Sequence, residues 1–118
     1  MIFELREYVA VPGRSTQVHR RFQDHVLDLF VRHHLDVVGY WIEPADEGRV
    51  LYLLRFADEV ARQQAWAAFQ SDTDWQRVKA ESESQGPIVA QMTSRVLTEP
   101  SYWTARTDAG SHQEELPA

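Results

Sequence analysis

Val37–Ile42 (VVGYWI) and Val50–Phe56 (VLYLLRF), held apart by Glu43-Pro44-Ala45-Asp46-Glu47-Gly48, decide the fold of this chain. Both runs are nearly continuous in apolar residues, the pattern of strands covered on both faces rather than one. The spacer between them is polar and turn-rich, so the two runs are expected to pair as a hairpin. Upstream, residues 2–9 (IFELREYV) alternate as a strand does and stop at Val11-Pro12-Gly13, a turn signal. Ser15 then offers an N-cap for a helix of about five turns, whose apolar positions Val18, Phe22, Val26, Leu29 and Phe30 recur up to His33. Downstream, Asp58 can cap a second helix through Phe69. Ser71-Asp72-Thr73-Asp74 restarts it with Trp75 and Val78 as far as Ser84. Gly86-Pro87 ends that helix, and Ile88–Leu97 returns to strand character.

The order is therefore β-α-β-β-α-β, which short right-handed connections fold into an α+β, ferredoxin-like domain: a four-stranded antiparallel sheet with both helices on one face. Helices from the same chain cannot cover the second face. The continuous apolar runs then predict a homodimer through sheet faces, since an uncovered face would exceed the apolar patch that monomers expose. One domain over residues 1–103 is expected. The polar, aperiodic stretch 104–118 is expected to form a disordered tail.

Composition narrows the function. Twelve Lys+Arg against 18 Asp+Glu give a formal charge of −6, which argues against a nucleic-acid partner. There is no cysteine, so a catalytic thiol, a zinc thiolate site and an iron–sulfur cluster are excluded. No window approaches the roughly 20 apolar residues of a membrane span, and MIFELREYV has no secretory character, so a soluble cytoplasmic protein is expected. No phosphate loop, nucleophile elbow or dinucleotide fingerprint occurs. The histidines lack the H-x3-H spacing of a helical metal pair, and no metal site is expected. One axial histidine would suffice for haem, which leaves His25 or His33 open as a ligand, although no attachment motif is present.

The candidate chemistry lies in three groups. At 100° per residue, His33 falls within the apolar stripe of the first helix and His25 on its flank with Arg21, Asp28 and Arg32. Both histidines are thus candidates for acid–base work, or for a structural role as core residue and helix C-cap. In the first strand Glu4, Arg6 and Tyr8 share one face, and Arg55 and Arg95 on neighbouring strands are expected to join Glu4 and Arg6 in an ion-pair network. Such a network could fix strand register, or could bind a carboxylate, phenolate or enolate. Tyr40, Tyr52, Trp66 and Trp75 add aromatic surface for a substrate pocket, or simply for the core.

Several of these residues also resemble a known family. Glu4-Leu5-Arg6 with Tyr8, Pro12-Gly13, His25, Leu29-Phe30, Arg32-His33, Gly39-Tyr40-Trp41, Trp66, Asp72 with Trp75, and the strand from Gln91 to Leu97 are similar in order and spacing to NIPSNAP domains over residues 2–103. Asp28, His34 and Phe56 depart from the pattern, where proline, glycine and tyrosine are common. The resemblance implies a dimeric α+β barrel, a superfamily that includes cofactor-free monooxygenases, haem-degrading enzymes, isomerases and stress proteins. For activity the resemblance implies little; the residues themselves give the expectation of an enzyme without dissociable cofactor, performing isomerisation, cyclisation, dehydration or oxygenation on a small apolar or aromatic compound. His25, His33, Arg6 and Glu4 would be catalytic, and Tyr8, Tyr40, Tyr52, Arg55, Trp66, Trp75 and Arg95 would bind substrate. The alternative is a non-catalytic metabolite-binding or protein-interaction dimer, for which Leu27 and Val31 would offer a contact surface.

Overall fold

The alternating IFELREYVA builds β1 (Ile2–Ala10), and the turn that follows places Gly13 at a φ of +82°. A computed structural model describes residues 1–103; the expected tail, 104–118, lies outside the described residues. β2 (Asp36–Glu43), β3 (Asp46–Phe56) and β4 (Val89–Thr98) join β1 in one antiparallel sheet of order β2-β3-β1-β4. With helices inserted after β1 and after β3, this is the ferredoxin-like βαββαβ arrangement. The hairpin is tighter than its spacer suggested. Pro44 and Ala45 alone make the turn, because the ladder keeps pairing as far as Glu43 and Asp46 after an irregularity at Ile42.

The first helix departs most from a regular reading. It runs without a break through α1 (Ser15–Arg21), a π turn (Phe22–Val26) and α2 (Leu27–Arg32). Val18, Phe22, Val26 and Phe30 stand four residues apart, and all are buried. In an α-helix each step of four drifts about 40° around the axis. One wide turn absorbs that drift and keeps all four on the sheet. Ser15 is not the cap; Arg14 holds that position, and no side chain bonds the first turn. At the other end His33 is the C-cap, and His34 takes a φ of +63°. There Leu35 N–H donates to Phe30 O at 2.8 Å and His34 N–H to Val31 O at 3.3 Å, a Schellman ending. A histidine where glycine is usual costs about 1–2 kcal/mol.

α3 (Glu59–Ser71) starts at Asp58, whose carboxylate accepts the Ala61 N–H at 2.8 Å. α4 (Thr73–Ser82) starts at Asp72, which accepts the Asp74 N–H at 2.7 Å. The core forms where the first helix, Ala65, Phe69, Trp75 and Val78 pack on Val50, Tyr52, Leu54 and Phe56 of β3. On the opposite face Phe3, Leu5, Leu51 and Leu53 are half-buried, while Trp41 and Leu97 are exposed. The Trp41 ring lies over Gly39, where a Cβ would sit 2.2 Å from a ring carbon. Only glycine leaves room for that ring. Among the described residues no helix is long and apolar enough to cross a membrane.

Candidate functional site

Strand pairing settles which face carries the charged pair of β1. Glu4 lies opposite Leu54 and Arg6 opposite Tyr52, both buried beneath the helices. The Glu4 carboxylate is closed to solvent and accepts four hydrogen bonds. Oε1 takes Arg62 Nε at 3.0 Å and Trp66 Nε1 at 2.7 Å; Oε2 takes Arg6 Nη1 at 2.9 Å and Ser94 Oγ at 2.5 Å. Burial opposes this charge, but the donors from Ser94, Trp66, Arg6 and Arg62 together outweigh it and hold the carboxyl below its ordinary value.

Arg6 connects Glu4 to the tyrosines. Its Nε donates to the Tyr52 hydroxyl at 3.0 Å and its Nη2 to the Tyr8 hydroxyl at 3.1 Å, and its guanidinium lies 4.3 Å from the Trp66 ring centroid. Burial works against its charge, yet Tyr52, Tyr8 and Glu4 raise its pKa above the ordinary value, so it stays cationic. Burial also pushes Tyr52 well above its usual value, and it pushes Tyr40, stacked on Tyr52 at 6.1 Å, up to about 12. Tyr52 donates to the Tyr8 hydroxyl at 3.1 Å. The Tyr8 oxygen thus accepts from both Arg6 and Tyr52, which leaves its own proton to give to a ligand.

Tyr8 and Arg6 form one wall of a cleft of about 220 Å³ between the sheet and the helices. Phe22, Phe30, Trp66, Phe69 and Trp75 supply the aromatic walls, with Arg21, Lys79 and Glu83 among its polar ones. An engineered cavity of about 150 Å³ holds benzene, so this cleft has room for a single substituted ring. Arg21 is only 6% exposed. Its Nη1 reaches Ser82 Oγ at 3.2 Å and Glu83 Oε2 at 2.9 Å, and its guanidinium stands 5.2 Å from the Trp75 ring. Its Nε is buried and has no hydrogen-bond partner among the described residues. An unsatisfied donor of this kind costs roughly 1–3 kcal/mol, more where it is charged.

The family pattern of NIPSNAP matches residues 3–103. The chain belongs to the NIPSNAP family. Two solved Burkholderia xenovorans structures, one of a NIPSNAP-like and one of a NIPSNAP domain protein, align at 18% and 17% identity with TM-scores of 0.75. They cover 88% and 89% of this chain, and 89% and 100% of theirs. A protein named an antibiotic biosynthesis monooxygenase aligns at 12% identity and a TM-score of 0.60, over 85% of this chain and 99% of its own. These likenesses are in fold. No functionally curated protein matches the chain.

Within this NIPSNAP domain the structure gathers only part of the expected site. Glu4, Arg6, Tyr8, Tyr52, Trp66 and Trp75 come together, whereas Tyr40 reaches the core without lining the cleft. Arg55 and Arg95 do not join Glu4. They pair with Phe3 and Leu5, so strand alternation puts them on the opposite face, where Arg55 binds Asp36 Oδ2 at 2.8 Å through Nη2. Their place is taken by Arg62, one turn before Trp66 on α3, a spacing that could have been read as a shared face.

The histidines are also displaced. His25 is exposed in a shallow groove with Gln17, Asp24 and Glu81, because the π turn shifts the helical phase between it and Arg21, and Arg21 takes the buried position. His33 is half-buried, but its Nε2 lies 2.5 Å from Asp72 Oδ2, tying the end of α2 to the start of α4. Neither lines the cleft. Among the described residues no group of three or more His, Asp or Glu side chains is arranged to hold a metal ion. Val31 is exposed, as a contact surface on α2 would require, while Leu27 is partly packed on the core.

Proposed function

We propose that this NIPSNAP chain is a small-molecule enzyme that works without a dissociable cofactor, on a one-ring or comparably small apolar compound carrying a carbonyl or acidic hydroxyl. The observation that carries this reading is Tyr8: it lines the cleft, and its hydroxyl oxygen accepts from Arg6 and Tyr52, which leaves its proton to donate. A ligand carbonyl there would receive that proton in a hydrogen bond, with the fixed charge of Arg6 behind it. Negative charge developing on the oxygen as a neighbouring C–H ionises would then be stabilised. Enolisation of this kind is the step shared by isomerisation, cyclisation, dehydration and carbanion oxygenation. Glu4 is a positioning residue in this scheme, since its oxygens are fully engaged and it touches no ligand. His33 positions α4.

The test is deuterium exchange at the acidic carbon of benzoylacetone in D2O, followed by proton NMR. The carbon-bound proton leaves to solvent and a deuteron replaces it, so no co-reactant is needed. The wild-type protein should accelerate exchange, and Tyr8→Phe should lower the acceleration by about 10²-fold while the fold, read by circular dichroism, is unchanged. Equal exchange by both proteins would remove Tyr8 from the chemistry.

One observation favours a second reading, a metabolite-binding dimer without catalysis. The one carboxylate among the described cleft-lining residues, Glu83, is held by Arg21 and Lys79 and so is a poor base. Saturable binding of benzoylacetone with no accelerated exchange would select that reading.

A further inference from the structure

Arg21 is built into the domain by two of its features and leaves a third unused. Nη1 ties α1 to α4 through Ser82 and Glu83, and the guanidinium lies against Trp75. Neither contact needs Nε, yet Nε is buried without a partner among the described residues, in a side chain that is 6% exposed and borders the cleft. Buried donors in folded proteins are almost always paired, and an arginine serving structure alone would have its fork satisfied. The surrounding charge has the same sense: Arg6 is paired with Glu4, but Arg21 and Lys79 share Glu83, the one carboxylate among the described cleft-lining residues, in a chain whose net charge is −6. A local excess of cations in an acidic protein marks a place for an anion.

We infer that the Arg21 side of the cleft is an anion subsite, and that the compound held there is an aromatic carboxylate whose acid group accepts from Arg21 Nε while its other polar end meets Tyr8. The aromatic walls between Arg6 and Arg21 take the ring. Lys79 adds a second charge. Nη1 keeps its bond to Glu83, so the helices need not separate when the ligand enters. This substrate class rests on the proposed role of the cleft, and the two can fail separately.

The probes are 4-acetylbenzoate and its neutral partner 4-acetylbenzamide, which share a ring and an acetyl carbonyl and differ only in charge at the far end. Each is titrated into 15N-labelled protein while the indole signals of Trp66 and Trp75 and the Nε–Hε signal of Arg21 are followed by NMR. Both probes should move the indoles, the benzoate alone should move Arg21 Nε–Hε, and the benzoate should bind about tenfold tighter, as a charge-assisted hydrogen bond gives. Arg21→Gln should erase that tenfold advantage, bringing the two probes to equal affinity. The wild-type Nε–Hε signal decides the matter even if the variant folds poorly. Indole shifts without movement of Arg21 Nε–Hε, or equal affinity for the two probes, would overturn the anion subsite and leave the cleft standing. Indoles unmoved by either probe at millimolar concentration would overturn the cleft reading and the subsite together.

Discussion

Glu4 shows how one buried charge organises several elements. Its two oxygens collect Arg6 from its own strand, Ser94 from β4, and Arg62 and Trp66 from α3. Through Arg6 it then orients Tyr52 and Tyr8. Bringing the carboxylate into the interior costs several kcal/mol, which four donors offset, so the network is worth more as a device for register than as net stability. Taking away the charge alone leaves Arg6 and Arg62 facing a neutral amide whose N–H groups oppose theirs. Glu4→Gln should therefore destabilise the domain by about 3 kcal/mol in urea unfolding. A loss below about 0.5 kcal/mol, the range of ordinary surface changes, would mean that the network relaxes freely.

At the scale of elements, the π turn and the junction between the two helical layers fix what reaches the cleft. The extra residue in Phe22–Val26 keeps the four-residue apolar spacing of the first helix on the sheet and puts Arg21 inside. The junction is held by Asp72, which caps α4 and accepts from His33 and from Arg32 Nη1 at 2.8 Å. The hydrogen bond from His33 is the largest cause holding the Asp72 carboxyl well below the usual aspartate range, and Arg32 and the Asp74 amide add to it. A carboxylate depressed in this way contributes its stability above its unfolded value, near pH 4. It loses that contribution as pH falls through the lower folded value. The urea midpoint of the wild-type protein should drop as pH is lowered below about 4, and Asp72→Asn, which keeps a capping side chain but cannot ionise, should show a smaller drop. Parallel curves for the two proteins would show that the junction titrates elsewhere.

For the molecule as a whole, the sheet face turned away from the helices is an apolar surface that none of the described helices covers. Phe3, Leu5, Leu51 and Leu53 lie there half-buried, with Trp41 and Leu97 exposed beside them and Arg49, Arg55 and Arg95 interspersed. Both faces of β3 carry leucines, the pattern of a strand with cover on each side. The expected outcome is a homodimer joined through this face. Leu53→Glu, at its centre opposite Leu5, should give a monomer in sedimentation equilibrium while the helix-side aromatic core stays intact by near-ultraviolet circular dichroism. A wild-type protein that sediments as a monomer would leave the face to another partner.

Much of this architecture was legible from local patterning. Alternation in β1, the two apolar runs of β2 and β3, the aspartate cap at Asp58 and the restart of the helix within Ser71–Asp74 are short-range signals, and each stands where it was read, with Asp72 as the capping residue of that restart. So was the co-location of Glu4, Arg6 and Tyr8, because period-two alternation puts them on one face whatever else the chain does. The partners of that face were not legible. Which arginine meets Glu4 depends on the register of β1 against β3 and β4, and a shift of one residue would have brought Arg55 and Arg95 in and sent Tyr52 and Ser94 out. That Arg21 rather than His25 faces the interior depends on one wide helical turn, for which steps of four at Val18, Phe22, Val26 and Phe30 are the only local sign. By itself, then, the order of residues determined the elements, their sequence and the charged strand at the centre. Register, helical phase and the packing of α3 and α4 decided the cleft, because each is set by the sum of long-range contacts rather than by any residue's neighbours in the chain.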